Sequence, residues 1–188
     1  MLCGDCETQF SVYEKYAKGV LFGGEKIEIL VNTTQGFEWR VDYDCFKRFE
    51  LSILWRMGIS TLPEFKDIVL GSHERRIRRM LRKEYPGETE EYGCILIWPI
   101  SHRNIVDGLI MPMGMVKIDG VQCCKVILAG MCWLFFISQQ AMHEKQKGLF
   151  LQNDGSLRII RGNFCIDKYI QDLSKSLHAN NPHLFCWD

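Results

Sequence analysis

Net charge is the first thing this sequence lacks. Its 188 residues carry 23 Lys+Arg against 23 Asp+Glu, a formal balance of zero. No overall field therefore recruits bulk nucleic acid or an anionic membrane. Long apolar runs are missing as well. The longest, Val126 to Ile137, is broken by Ala129-Gly130 and falls short of the roughly 18 residues that a membrane-spanning helix needs. Buried strands account for it better. There is no internal repeat and no low-complexity segment. The opening Met1-Leu2-Cys3-Gly4-Asp5-Cys6-Glu7 has neither the basic nor the apolar region of a secretory leader. A cytoplasmic protein is the expectation.

Several catalytic signatures are also absent. Gly114 and Gly120 stand outside any Gly-x-Gly-x-x-Gly pattern, and there is no Walker-type Gly-Lys-Ser/Thr. No Gly-x-Ser-x-Gly nucleophile motif occurs. His143-Glu144 is followed by Lys147 where a His-Glu-x-x-His zinc helix carries its second histidine.

What is present suits a folded chain. At 47% hydrophobic and 24% charged residues, it has enough apolar surface to bury a core, which excludes long-range disorder. Its length suits one domain or two small ones. Nine cysteines are the compositional oddity. Their odd number and irregular spacing argue against a disulfide framework and for reduced thiols. Most are expected to act as small core hydrophobes.

Periodicity predicts an α+β fold. Phe10, Tyr13, Ala17, Val20 and Leu21 share one helix face, and Gly23-Gly24 ends that helix. Alternation over Lys26 to Asn32 and again at Phe37, Trp39 and Val41 predicts a short hairpin. Asp42 or Asp44 can cap a second helix with Phe46, Phe49, Ile53, Leu54 and Met57 inward. Ser72 is the expected N-cap of a third, running to about Glu84, with Ile77, Met80 and Leu81 inward. Pro86-Gly87 and the acidic patch Glu88 to Glu91 mark the best internal boundary, dividing residues 1–85, mainly helical, from residues 86–188. Strands are expected over Cys94–Ile100, Leu109–Ile118, Val121–Leu128, Met131–Ser138 and Ser156–Arg161, with Asp119-Gly120 as a hairpin turn. They would form an antiparallel sheet closed by a C-terminal helix that Asn163 caps and Ile166, Tyr169, Ile170, Leu173 and Leu177 turn inward. One core or two lobes both remain open on these grounds.

Four groups of residues could carry chemistry. Cys3 and Cys6 have the two-residue spacing of a zinc knuckle. A structural zinc needs four ligands, so completion would call on Cys45, His73, Cys94, His102, His143 or another chain. The plainer alternative is two thiols lying against the first helix. On the third helix, Arg75, Arg79 and Arg82 lie opposite the apolar residues at about 100° per residue. Such a stripe can hold nucleic-acid phosphates or an acidic partner. The competing reading is a solvated face partly paired with Glu74 and Glu84. Ser101-His102-Arg103-Asn104, with Asp107, groups catalytic residue types in a loop after a strand, yet without a nucleophile motif His102 reads as an ordinary loop residue. Met111, Met113 and Met115 alternate along a strand and should share one face, as adaptable contact surface or as core.

The stretches Leu2-Cys3-Gly4-Asp5-Cys6-Glu7, Phe10-Ser11-x-Tyr13-Glu14-Lys15-Tyr16 and Val20-Leu21-Phe22 resemble a group of uncharacterised bacterial proteins in which a Cys-x-x-Cys-Glu knuckle opens a helix. Phe46 to Arg56 and Leu70-Gly71-Ser72-His73-Glu74-Arg75 resemble the same group, so the likeness covers about the first 85 residues. Members are often described as HNH-endonuclease-like, because an upstream segment adds a second Cys pair and a Ser-His motif. That segment is not in this sequence, and no metal-coordinating catalytic histidine of a ββα unit can be assigned. The resemblance implies a shortened or degenerate form, or a product of an internal start.

Together these features lead to the expectation of a non-catalytic accessory or interaction protein, possible zinc at Cys3 and Cys6, and a protein partner or homo-oligomer. Nucleic-acid contact would run through Arg75, Arg79 and Arg82, in a bacterial or phage-defence setting, with no membrane. The alternatives are a metal-dependent HNH-like nuclease completed by oligomerisation, with His73 or His102 as base, and a small-ligand-binding domain with its pocket among the strands from Cys94 to Ser138.

Overall fold

The computed structural model describes residues 4–99, 111–137 and 144–162. Along the chain lie α1 (Gly4–Phe22), β1 (Glu28–Asn32), β2 (Gly36–Arg40), α2 (Tyr43–Ile59), a 3₁₀ turn (Pro63–Phe65) and α3 (Ser72–Arg82). Then follow β3 (Cys94–Pro99), β4 (Met111–Ile118), β5 (Val121–Leu128), β6 (Met131–Phe136), the single helical turn α4 (Glu144–Lys147) and β7 (Ser156–Gly162). The fold is α+β. The expected C-terminal helix, from Asn163 onward, lies outside the described residues.

The seven strands among the described residues form one sheet in the order β1-β2-β7-β3-β6-β5-β4. The expectation of an antiparallel sheet confined to the second half needs correcting in two respects. The early hairpin joins the sheet through β2, which pairs antiparallel with β7, and β7 runs parallel to β3. Periodicity identifies each strand, but pairing between strands so far apart in sequence leaves no local trace. The acidic stretch after Pro86-Gly87 is a tied turn. Glu91 pairs with Arg76, Glu90 with Lys147 at 2.9 Å, and Glu88 accepts from Asn153 at 3.1 Å.

The three long helices pack on one sheet face. Phe10, Tyr13, Ala17 and Val20 of α1, the inner residues of α2, and Ile77, Met80 and Leu81 of α3 share a single cluster with Cys94, Leu96, Cys124, Val126, Trp133, Phe135, Leu157 and Ile159. Strand alternation turns Ile95, Ile97, Cys123, Cys132, Leu134 and Phe136 to the opposite face, where Phe150 joins them. Trp133 anchors the helix-covered face. It stacks on Phe46 at 6.3 Å between centroids and donates its Nε1–H to the Leu128 carbonyl at 2.9 Å.

Helix α2 begins as its sequence dictates, with the Asp42 carboxylate accepting the Cys45 N–H at 2.7 Å. Helix α3 starts differently from expectation. Gly71, at φ 57°, occupies the cap position, no side chain caps the helix, and Ser72 is already its first residue. The positive φ turns the chain sharply after the buried Leu70, which moves the boundary by one. The three methionines of β4 do not share a face either. A bulge between Pro112 and Gly114 leaves Met113 without a partner, so Met111 faces Ile127 while Met115 faces Cys124 on the other side of the sheet.

Buried at the centre of the helical layer is an ion pair that the apolar pattern of α2 conceals. Lys47 and Glu50 are both fully buried, 3.7 Å apart. The Lys47 ammonium donates to the Tyr92 carbonyl at 3.2 Å, while neither Glu50 oxygen has a hydrogen-bond partner among the described residues. Burial pushes the Glu50 carboxyl up from 4.5 to about 7, opposed only in part by Lys47. The same burial lowers the Lys47 ammonium. Both directions say that desolvation outweighs the mutual attraction.

Removing one partner should therefore cost more than removing both. Lys47→Ala is expected to destabilise the fold by about 3–5 kcal/mol, whereas Lys47→Met/Glu50→Leu should be neutral or stabilising. An acid raised on folding stabilises at low pH, and that contribution is lost as pH rises from 4.5 through about 7. Urea titrations across that range should show stability declining with pH in the parent, and this component of the slope should vanish in the double variant.

Candidate functional site

On helix α3, five like charges collect without ion-pair partners among the described residues. Its apolar residues Ile77, Met80 and Leu81 hold it to the core. Gln9 of α1 donates to the Leu81 carbonyl at 3.1 Å, and Arg76 pairs with Glu91 while lying over the Tyr92 ring. The opposite side carries Arg75, Arg78, Arg79, Arg82 and Lys83, all exposed. At about 100° per residue these five span an arc of about 140° and a length of about 12 Å. They line a shallow basic hollow of ≈ 320 Å³ that contains no carboxylate.

Arg75, Arg79 and Arg82 thus sit where the sequence places them, and Arg78 and Lys83 join them. Helical angle alone would have included Arg78. The expected pairing with Glu74 and Glu84 is not formed by these cations: none of the five makes an ion pair or side-chain hydrogen bond among the described residues, whereas Glu84 lies 3.9 Å from Arg48. The contrast with the remaining described arginines is sharp. Arg40, Arg48, Arg56, Arg76 and Arg158 each meet a carboxylate, and Arg161 lies over the Phe37 ring at 4.4 Å.

His73 occupies the inward side of the same helix. Its Nδ1 is 3.1 Å from the Tyr92 hydroxyl, with the rings edge to face at 5.7 Å. Burial, then the charge of Arg76, lowers its pKa from 6.5, so it is neutral at pH 7. Its place is the packing between α3 and the Tyr92 turn, across the helix from the basic face. His102 and His143 lie outside the described residues.

The proposed zinc ligands are not assembled by the described residues. Cys3 lies outside them, and the backbone from Gly4 through Cys6 is already the first turn of α1. Cys45 stands in the first turn of α2, beside Asp42. Cys94 is buried against Glu50 and Lys47, and His73 is held by Tyr92. No group of three or more His, Cys, Asp or Glu side chains able to hold a metal occurs among the described residues.

An apolar groove of ≈ 440 Å³ opens between α2, the 3₁₀ turn and the end of β5. Phe49, Ile53, Met57, Leu62, Phe65 and Leu128 form most of it. Its two charged residues, Glu14 and Arg56, are paired with each other at 2.5 Å. With both charges paired to one another and Ser60 the one other polar side chain in the lining, the groove offers few polar groups to orient a ligand. No described helix is long and apolar enough to cross a membrane.

Compared with models of known protein families, with curated proteins and with solved structures, the chain matches none.

The thiols of Cys94, Cys123, Cys124 and Cys132 are buried, and burial raises them, Cys123 to about 11 and Cys124 and Cys132 to about 12. The thiolate is the reactive form, so iodoacetamide at pH 8 should leave all four unmodified in the folded protein. Mass spectrometry should find them alkylated once denaturant is added.

Proposed function

We propose that this chain is a non-catalytic accessory protein that attaches to a polyanionic partner through the basic face of α3. The observation that carries the reading is the concentration of unpaired cations there: Arg75, Arg78, Arg79, Arg82 and Lys83, with no carboxylate among them. Their arrangement has a cost to the free protein. Pairs 75/78, 75/79, 78/82, 79/82 and 79/83 are like charges at helical neighbour spacings, each unfavourable by about 0.2–0.5 kcal/mol. A bound polyanion relieves that repulsion, so the same residues that strain the helix alone reward association.

The scaffold supports this use. Ile77, Met80 and Leu81 are buried, and Arg76 and Gln9 tie the helix down on either side. The cations are therefore presented from a fixed helix, which limits the ordering cost of binding. Zero net charge restricts attraction to the local face, so binding should be strongly salt-dependent.

Fluorescence anisotropy against heparin, a polyanion with no sequence, tests the reading. Arg75→Glu/Arg79→Glu/Arg82→Glu should weaken binding by at least about tenfold, or about 1.4 kcal/mol, with the thermal midpoint unchanged or raised. Unaltered affinity would show that another surface binds. Plasmid DNA incubated with the protein and Mg²⁺ or Mn²⁺ should stay intact; cleavage abolished by His73→Ala would establish a nuclease in its place.

A further inference from the structure

We propose that the polyanion is B-form DNA duplex, gripped by its phosphates with α3 lying in the major groove and without dependence on sequence. This rests on the reading of α3 as a polyanion-binding face and names its ligand.

The shape of the charge distribution makes the first argument. The cations run from Arg75, in the first turn, to Lys83, at the C-cap. A compact polyphosphate is ordinarily held by donors converging on a helix N-terminus, where backbone N–H groups and the helix dipole favour the anion. Here the row of charge continues into the C-terminal turn, where the dipole opposes a compact anion. Only long side chains reaching outward can grip one there. A ligand whose own charges repeat along a line matches a row about 12 Å long on a helix.

Dimensions make the second argument. An α-helix with its side chains is about 10–12 Å across, and the major groove of B-form DNA is about 12 Å wide. Cations spread over an arc of about 140° can meet the phosphates bordering both sides of that groove. The major groove of an RNA duplex is too narrow to admit side chains in this way. Four of the five cations are arginines, whose planar fork binds phosphate in bidentate fashion.

The face also omits the groups that other nucleic-acid ligands would need. No asparagine or glutamine lies on α3, so its face has no side chain that reads adenine in the usual bidentate manner, and the arginines, which can read guanine, are taken up by the phosphates in this grip. The one aromatic ring within α3, His73, is turned inward against Tyr92, so the basic face of the helix gives unpaired bases no aromatic ring to stack on. The nearest exposed aromatic in sequence, Tyr85, has the carboxylates of Glu91 and Glu88 close enough to raise its hydroxyl, and those charges repel a phosphate strand.

Anisotropy titrations of the full chain test the assignment, using two DNA duplexes of unrelated sequence, a single strand, an RNA duplex and polyglutamate. Both DNA duplexes should bind within about twofold of each other and more tightly than the other three. The plot of log affinity against log salt should have a slope of about −4 to −5 if all five cations meet phosphates, reduced by about 0.9 for each of Arg75→Gln, Arg79→Gln and Arg82→Gln. Binding of the single strand, the RNA duplex or polyglutamate as tightly as DNA would overturn the duplex assignment while leaving the polyanion reading in place. A strong preference between the two DNA sequences, or a slope untouched by the three substitutions, would also overturn it. Failure to bind any of these probes, or heparin, would overturn both.

Discussion

Strand β7 is the member on which the rest of the architecture depends. It lies between β2 and β3, antiparallel to one and parallel to the other, and so joins the early hairpin to the four-stranded remainder. A two-stranded hairpin by itself is marginal in water; paired with β7, β1 and β2 become the edge of a seven-stranded sheet. The approach is close. A side chain at Gly36 would strike the Ile159 carbonyl at 2.4 Å, and one at Gly155, where φ is +84°, would strike the Val41 carbonyl at 2.2 Å. The Val41 N–H donates to the Gly155 carbonyl at 2.9 Å. That contact fixes where the chain leaves the hairpin and enters α2.

Helix α2 then becomes the hub of the helical layer, between α1, α3 and the sheet. Its burial on several sides explains how Lys47 and Glu50 are enclosed together. Two charges removed from water at 3.7 Å, with Glu50 otherwise unbonded among the described residues, contribute little net stability. Their relation to Tyr92 is more specific. Lys47 bonds the Tyr92 carbonyl, and the Tyr92 side chain meets His73 and Arg76. One residue thus links the buried face of α2 to the seat of α3.

Charge is used in two opposite ways within this balanced sequence. In the interior it is enclosed and matched one for one. On the outer side of α3 it is exposed and unmatched, so that its electrostatic energy is released only when another molecule supplies the anions. The packing of Ile77, Met80 and Leu81 on one side of the helix keeps the five cations on the other. The core of the fold and the candidate site are in this sense two faces of one amphipathic helix.

The sequence by itself determined the elements and the charged stripe, because both depend on local periodicity. Spacings of three and four placed Phe10, Tyr13 and Ala17, or Ile77, Met80 and Leu81, on buried helix faces, and set Arg75, Arg79 and Arg82 opposite. Alternation marked the strands, and Asp42 or Asp44 marked a helix start, of which the structure uses Asp42. Glu50, midway between Phe46 and Leu54 at helical spacing, sits on an apolar stripe, but no local pattern records its pairing with Lys47. Tertiary structure alone decided the pairing of β7 with β2 and β3, the bulge that separates Met111 from Met115, and the enclosure of the Lys47–Glu50 pair. It also decided which arginines found carboxylates and which did not. Those outcomes depend on contacts between residues far apart in the chain, such as Arg158 with Glu38 or Arg48 with Glu84, and no local pattern records them.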